Sequence, residues 1–405
     1  MKTEEYLALY GNCNENAKLQ TPSYIFDIDV LKERAEYLRR KLPGKRIVYA
    51  MKANPFIVSA VSDFVDAFEI CSPGEERICE KAGIPARQMV ISGVNKEEAD
   101  IRRTMEYAGP GAEGARPVYT AESLLHIEIL DRAAAAVFGE NAPIDVLIRV
   151  TSGNQFGMDE EDVVRVIKER EKYPALHFTG IQLYSGTQKK LRNIEKEIAS
   201  LDALLLRLAE ECGFAAEELE YGPGLPVNYF RKEKPVDEDS LLAALNGLLD
   251  GMQFKGRISL EMGRFFAACC GSYVTRIMDR KTNRDVHYLI CDGGIHQVNY
   301  FGQMMAMKLP FMRSKDGDVP LLEDADEKYS VCGSLCTVSD VIVKEVPLHN
   351  PVPGDILVFD NTGAYSVTEG ISLFLSRDLP RVYLRSDGEI KEVRKKIFTE
   401  DFNYG

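Results

Sequence analysis

The chain has 405 residues, 45% of them hydrophobic and 28% charged, enough for two domains or one large domain with an appendage. A formal net charge of −13 disfavours a general polyanion binder such as a nucleic-acid-binding protein, which needs clustered Lys and Arg. It leaves room for a small phosphate ligand held by local groups.

The run Met1 to Tyr6 lacks the apolar core of a signal peptide, and no stretch approaches membrane-spanning length. The expectation is a cytoplasmic protein with no membrane partner. Nine cysteines and five histidines show no metal-type spacing: Cys269 and Cys270 are adjacent, and Cys332 and Cys336 lie four apart. The cysteines read as reduced, small hydrophobes, and no metal site is expected.

Residues 1–27 form an N-terminal segment, its first ~25 residues polar and strand-poor, with packing open onto either domain and the β domain as the candidate. From residue 28 helix and strand alternate. The first helix carries Leu31, Ala35, Leu38 and Leu42 on one face and stops at Pro43-Gly44. Strands are predicted near 46–52, 67–71, 89–92, 117–120, 144–150, 178–184, 218–222 and 257–262. Helices fall between them, the clearest with Ile194, Ile198, Leu201, Leu205 and Leu208 on one face. This α/β pattern predicts a (β/α)8 barrel over 28–265, with an open doubly wound sheet as the alternative. Beyond it, short strand-like runs (Tyr273–Met278, Val286–Cys291, Val331–Gly333, Val338–Val346 and Asp355–Phe359) predict an antiparallel β domain over 266–405.

Chemistry in a barrel collects where the strands end. The residues there are Lys52, Glu69, Ser92, Arg149, Tyr184, Gly222-Pro-Gly224, and Glu261 with Arg264. Lys52 closes a buried apolar strand, where lost hydration favours a neutral amine able to form a Schiff base. A surface lysine on a turn is the other reading. Gly222, Gly224, Gly263 and Arg264 lie on the loops that often cradle phosphate, although Gly-Pro-Gly turns are often merely structural. Lysine, phosphate cradle and aromatic face are the equipment for pyridoxal 5′-phosphate (PLP).

Several segments carry a resemblance over nearly the whole chain. They are Tyr49-Ala-Met-Lys-Ala-Asn54, Phe68-Glu-Ile-Cys-Ser-Pro-Gly-Glu75, Gly180-Ile-Gln-Leu-Tyr-Ser-Gly-Thr-Gln188, Gly222-Pro-Gly224, Glu261-Met-Gly-Arg264, Cys332-Gly-Ser-Leu-Cys-Thr-Val-Ser-Asp340, and Gly354-Asp355 with Gly363-Ala-Tyr365. In that order the chain resembles the PLP-dependent decarboxylases of barrel-plus-β-domain type, which include the diaminopimelate, ornithine and arginine decarboxylases. The resemblance implies that Lys52 binds the cofactor covalently and that Glu261 meets its ring nitrogen. It implies that Tyr184 stacks on the ring where the family has histidine, and that Thr187, Gly222, Gly224, Gly263, Arg264 and Tyr365 hold phosphate. Glu69 stands where the family usually has aspartate. Arg149 is a further cofactor candidate, with pairing to a nearby acid as the other reading. Cys336 is implied to enter the partner subunit's site in a homodimer and, with Lys52, to be catalytic. Thr337 and Asp340 are candidates for the substrate.

Losing CO2 from an amino acid leaves charge at Cα, and a carboxylate at the ring nitrogen deepens the sink that receives it. Racemases of this barrel type place arginine there, so Glu261 favours a decarboxylase over a racemase. A non-catalytic PLP-binding homologue is a further alternative, opposed by retention of Lys52, Glu261, Cys336 and Tyr365. The substrate end departs from the diaminopimelate pattern. Thr337 stands where a glutamate follows the cysteine, and 295–303 replaces an arginine-bearing segment. Asn154-Gln-Phe-Gly157 stands for Ser-Lys-Phe-Gly. These changes resemble a branch acting on siderophore precursors or carrier-linked amino acids, so both a diaminopimelate-like substrate and a larger derivative stay open.

Overall fold

The computed structural model describes residues 1–11, 17–109, 116–139, 141–300, 307–321 and 327–404. Cys13, and residues 301–303 of the substituted segment, lie outside that set. The chain divides into two compact units, one of Lys32–Pro226 with Val236–Phe266, the other of Met1–Leu31, Val227–Pro235 and Ala267–Gly405. Strand β1 (Ser23–Asp27) belongs to the second unit. The first unit is built on β2 (Arg46–Ala50), β3 (Ala67–Ile70), β4 (Met89–Ile91), β5 (Val118–Ala121), β6 (Ile144–Arg149), β7 (Leu176–Tyr184), β8 (Glu218–Gly222) and β9 (Arg257–Met262).

Those eight strands are parallel and close into a barrel, β2 pairing with both β3 and β9. They are short, nearly continuous apolar runs, as strands covered on both faces must be. Inside the barrel Val48, Ala67 and Val90 form an apolar cluster with Val118 packed against it. At the amino ends, buried Glu218 accepts from Arg46, Arg257 and Ser259, so its charge is met on several sides. The helices start at side-chain caps: Ser72, Ser123 and Asp237 accept from the backbone of Glu75, His126 and Ser240. The helix Leu191–Cys212 buries Ile194, Ile198, Leu201, Leu205 and Leu208, the stripe read from the sequence.

The second unit continues with β10 (Gly271–Asn283), β11 (Val286–Cys291), β12 (Met312–Ser314), β13 (Gly317–Asp318), β14 (Lys328–Cys332), β15 (Val341–Pro347), β16 (Ile356–Asp360), β17 (Arg381–Ser386) and β18 (Glu389–Arg394). The sheet order is β13-β12-β16-β10-β1-β17-β18, with β11, β14 and β15 branching from β10. Pairing is antiparallel except for β1 with β17 and β11 with β14.

Two expectations need correction. The amino-terminal segment is not strand-poor: β1 lies between β10 and β17, and the helix Thr3–Tyr10 buries Tyr6 and Tyr10 against Ile25, Val274 and Val358. Residues 227–235, expected within the barrel, belong to the β unit, where Phe230 bridges to Pro310 and Arg231 N–H donates to Leu309 O at 2.9 Å. Among the described residues no helix is long and apolar enough to cross a membrane.

Candidate active site

Lys52 sits in the one-turn helix Met51–Ala53 directly after β2. That turn is fixed from beyond by Asn54, whose side chain accepts from Phe56 N–H at 3.1 Å and whose carbonyl accepts from Tyr49 OH at 3.1 Å. The strand end therefore delivers the amine to one place. Lys52 Nζ lies 3.3 Å from Glu261 Oε1 on β9, 3.6 Å from Cys71 Sγ, and 5.3 Å from the Tyr184 ring centroid. Loss of hydration raises the Tyr184 hydroxyl, with the Glu261 charge adding to it, so the phenol stays protonated.

Beside this pair is a second layer of charge. Carboxylate oxygens of Glu69, Glu220 and Glu261 lie within 4.8 Å of one another, all three residues buried. The spacing would suit a cation, and the Lys52 ammonium supplies one against Glu261. Gln182 on β7 bridges the other two, its amide donating to Glu220 Oε1 at 2.7 Å and to Glu69 Oε1 at 3.2 Å. Burial, then the Glu261 charge, push Glu69 up to about 7. Burial, then the Glu69 charge, hold Glu220 well above the ordinary carboxylate range. Near neutral pH these two acids therefore keep at least one proton between them.

The turn after β8 forms the third element. A Cβ on Gly222 would stand 2.5 Å from Tyr184 Cδ2 and 3.3 Å from Glu261 Oε2. Gly224 has φ +59°, and a Cβ there would overlap Gly186 O. Only glycine keeps this space open. The N–H groups of Gly224, Leu225 and Gly263 donate to no acceptor among the described residues. These donors follow the neighbouring strands β8 and β9, paired at Tyr221 and Leu260, and the buried Arg264 opens the short helix Arg264–Ala267 beside them. Unspent N–H groups beside a buried guanidinium make an anion receptor. Thr187 lies half-buried in the loop after β7.

The structure thus brings Lys52, Glu69, Tyr184, Gly222, Gly224 and Glu261 together in the barrel. The Arg149 guanidinium forms a buried ion pair with Glu122 at 2.9 Å and lies 4.9 Å from the Phe156 ring centroid, the pairing that was its other reading.

Cys336, Thr337, Asp340 and Tyr365 belong to the β unit. Asp340, expected at the substrate, is buried and committed to the backbone, accepting from Ile295 N–H at 2.9 Å and Leu335 N–H at 2.7 Å. It pins the loop that presents Cys336, which is exposed. The Thr337 hydroxyl is shared with Ser339 at 2.9 Å. Tyr365 is half-buried at φ +67°, its carbonyl accepting from Thr368 and Glu369 N–H.

Sequence reasoning missed Gln182, Glu220, Cys71 and the Lys189–Glu197 pair. A signal was present for two of them. Gln182 and Glu220 are polar residues inside buried apolar strands, two positions before Tyr184 and Gly222 and so on the same face.

The chain matches the family described as "Pyridoxal-dependent decarboxylase, pyridoxal binding domain" over residues 28–268. It is 26% identical to L-glutamyl-[BtrI acyl-carrier protein] decarboxylase of Niallia circulans, covering 95% of this chain and 93% of that one. It is 25% identical to 2-[(L-alanin-3-ylcarbamoyl)methyl]-2-hydroxybutanedioate decarboxylase of Staphylococcus aureus (90% and 94%) and 24% identical to diaminopimelate decarboxylase of Aquifex aeolicus (95% and 90%). In fold it is similar to diaminopimelate decarboxylase from Helicobacter pylori complexed with L-lysine, at TM-score 0.79 and 22% identity over 95% of this chain and 96% of that one. The half-buried amine, the glycine-lined space and the unspent N–H donors fit PLP, an aldehyde carrying a phosphate. The matched stretch contains all of them, and the chain belongs to the pyridoxal-dependent decarboxylases, with PLP as its cofactor and amino-acid decarboxylation as its reaction.

Proposed function

We propose that the amino acid decarboxylated is an acylated or carrier-linked derivative, with no free zwitterionic distal end. The observation carrying this reading is the neutral loop Cys336-Thr337-Val338-Ser339, in which the Thr337 hydroxyl meets only Ser339 among the described residues and Val338 is 98% exposed. A free distal ammonium and carboxylate need charged partners to offset their lost hydration. The exposed stretch Ser152–Gln155 adds no charge either. Two relatives at 25–26% identity bear names of larger or carrier-linked substrates, and this supports the same choice. Free diaminopimelate is the second reading, favoured by relatives named for it.

PLP, when bound, supplies the electron sink that receives the charge left when CO2 departs. Lys52 Nζ is the group that would join the cofactor aldehyde. The Glu261 carboxylate would face the ring nitrogen and favour its protonated form, while Tyr184 would cover a ring face. Thr187, the N–H groups of Gly224, Leu225 and Gly263, and Arg264 would take the phosphate. Tyr365 joins them on the resemblance alone. The proton returned to Cα would come from Lys52 Nζ or from Cys336 Sγ acting as general acid. Cys336 would act on the other subunit of a homodimer, in keeping with its exposed loop.

The test is CO2 release, with product identification, from free diaminopimelate, ornithine, lysine and glutamate beside their acyl and carrier-protein derivatives. The expected result is a kcat/KM at least about 100-fold higher on a derivative, the scale of about 2.7 kcal/mol of differential binding. Preference for free diaminopimelate would return the assignment to the second reading. Exchange of the Cα proton without CO2 loss would indicate a racemase.

A further inference from the structure

Lys189 is buried in the loop after β7. Its main-chain N–H donates to Gly224 O at 2.9 Å. Its ammonium donates to Gly222 O at 3.3 Å and to Glu197 Oε2 at 2.7 Å. Glu197, on the helix Leu191–Cys212, also accepts from Tyr221 OH at 2.7 Å and from Ser185 Oγ at 2.5 Å. One carboxylate thus ties the loop after β7, strand β8 and the buried lysine together.

The consequence follows from peptide geometry. In a trans peptide the C=O and the next N–H point in opposite directions. With Gly224 O held by Lys189, the Leu225 N–H faces away from Lys189. Pro223 has no N–H, so the turn has fewer donors to offer than three glycines would. Gly224 and Leu225 must supply them, and neither N–H is spent on another acceptor among the described residues. Burial pulls the Lys189 ammonium below the usual lysine range, and the Glu197 contact opposes this.

We propose that Lys189, braced by Glu197, is a positioning residue for the cofactor phosphate: it holds back both glycine carbonyls of the turn, and its hold on Gly224 O turns the Leu225 N–H towards the phosphate. The inference rests on the assignment of phosphate to this turn. A brace that served the fold alone would affect every ligand of the barrel equally. A phosphate-positioning brace affects only ligands that carry phosphate.

The experiment measures binding of PLP and of pyridoxal, the same aldehyde without phosphate, to apoprotein of the wild type, Lys189→Met, Lys189→Arg and Glu197→Gln. Expected are an approximately tenfold weaker PLP affinity for Lys189→Met, pyridoxal affinity within about twofold of wild type, and partial recovery in Lys189→Arg. Glu197→Gln keeps the side-chain shape and shows the same selective loss at smaller size, which keeps the test valid if Lys189→Met does not fold. Equal losses on both ligands, or unchanged PLP affinity, overturn the proposal. A wild type that binds PLP no better than pyridoxal overturns the phosphate assignment itself, a different outcome from an intact preference that the variants leave untouched.

Discussion

Removing the Lys52 amine leaves Glu261 beside Glu69 and Glu220 without the cation that stands 3.3 Å away. Lys52→Ala is therefore expected to abolish turnover, and borohydride reduction of the wild type with PLP to add the cofactor mass to the peptide containing Lys52. Label on another lysine, or retained activity, would remove Lys52 from its role. The acids make a separate prediction. Glu69 titrates near 7 in the folded protein against 4.5 in the free side chain. An acid raised by folding keeps a proton that the unfolded chain has already released, so stability carries no penalty below 4.5 and declines as pH rises from there towards 7. The decline is at most about 1.4 kcal/mol per pH unit over that window. Denaturant unfolding of Glu69→Gln should show that slope reduced, and an unchanged slope would place the proton elsewhere. Lys52, Tyr184 and Glu261 were legible because they close apolar strands in a known motif order. Gln182 and Glu220 were not, because a lone polar residue within a strand does not show which neighbours meet it.

At the scale of elements, Gly180 on strand β7 lies opposite Glu218 on β8. A Cβ on Gly180 would overlap Glu218 O, and β8 cannot retreat because Glu218 also pairs with Arg257 on β9. Gly180→Ala should lower the unfolding free energy by about 3 kcal/mol or more. Gly247, inside the helix Glu238–Asp250, has no atom within 4 Å of where a Cβ would sit, so Gly247→Ala should be neutral or stabilising by up to about 1 kcal/mol. Equal effects in thermal and urea unfolding would show that the barrel tolerates separation of these strands. The eight barrel strands could be read from sequence because burial on both faces leaves continuous apolar runs. Strand β18 could not, since its residues alternate between exposed and half-buried, and β12 and β13 are only three and two residues long. Strand β1 gave too short an apolar run to reveal that it lies inside a sheet whose other members are more than 240 residues distant.

For the whole molecule, the change from alternating helix and strand to short strand runs carried the two-unit architecture, while the assembly depends on what covers the Cys336 loop. That loop is held at its base by Asp340, accepting from Ile295 and Leu335, and carries the exposed Cys336 and the 98% exposed Val338 at its tip. A braced loop with an apolar side chain in water is suited to burial against a second copy of the chain. If Cys336 completes the other subunit's site, a Lys52→Ala chain and a Cys336→Ala chain are each defective alone but complementary when mixed. Equal mixing with free exchange makes half the dimers hybrid, and each hybrid has one of its two sites intact. Activity should then recover to about one quarter of wild type. Sedimentation of the wild type should give a dimer, and tagged subunits purified together should confirm exchange. With exchange verified, recovery no greater than the sum of the two single variants would confine each site to one chain and reduce Cys336 to an exposed thiol.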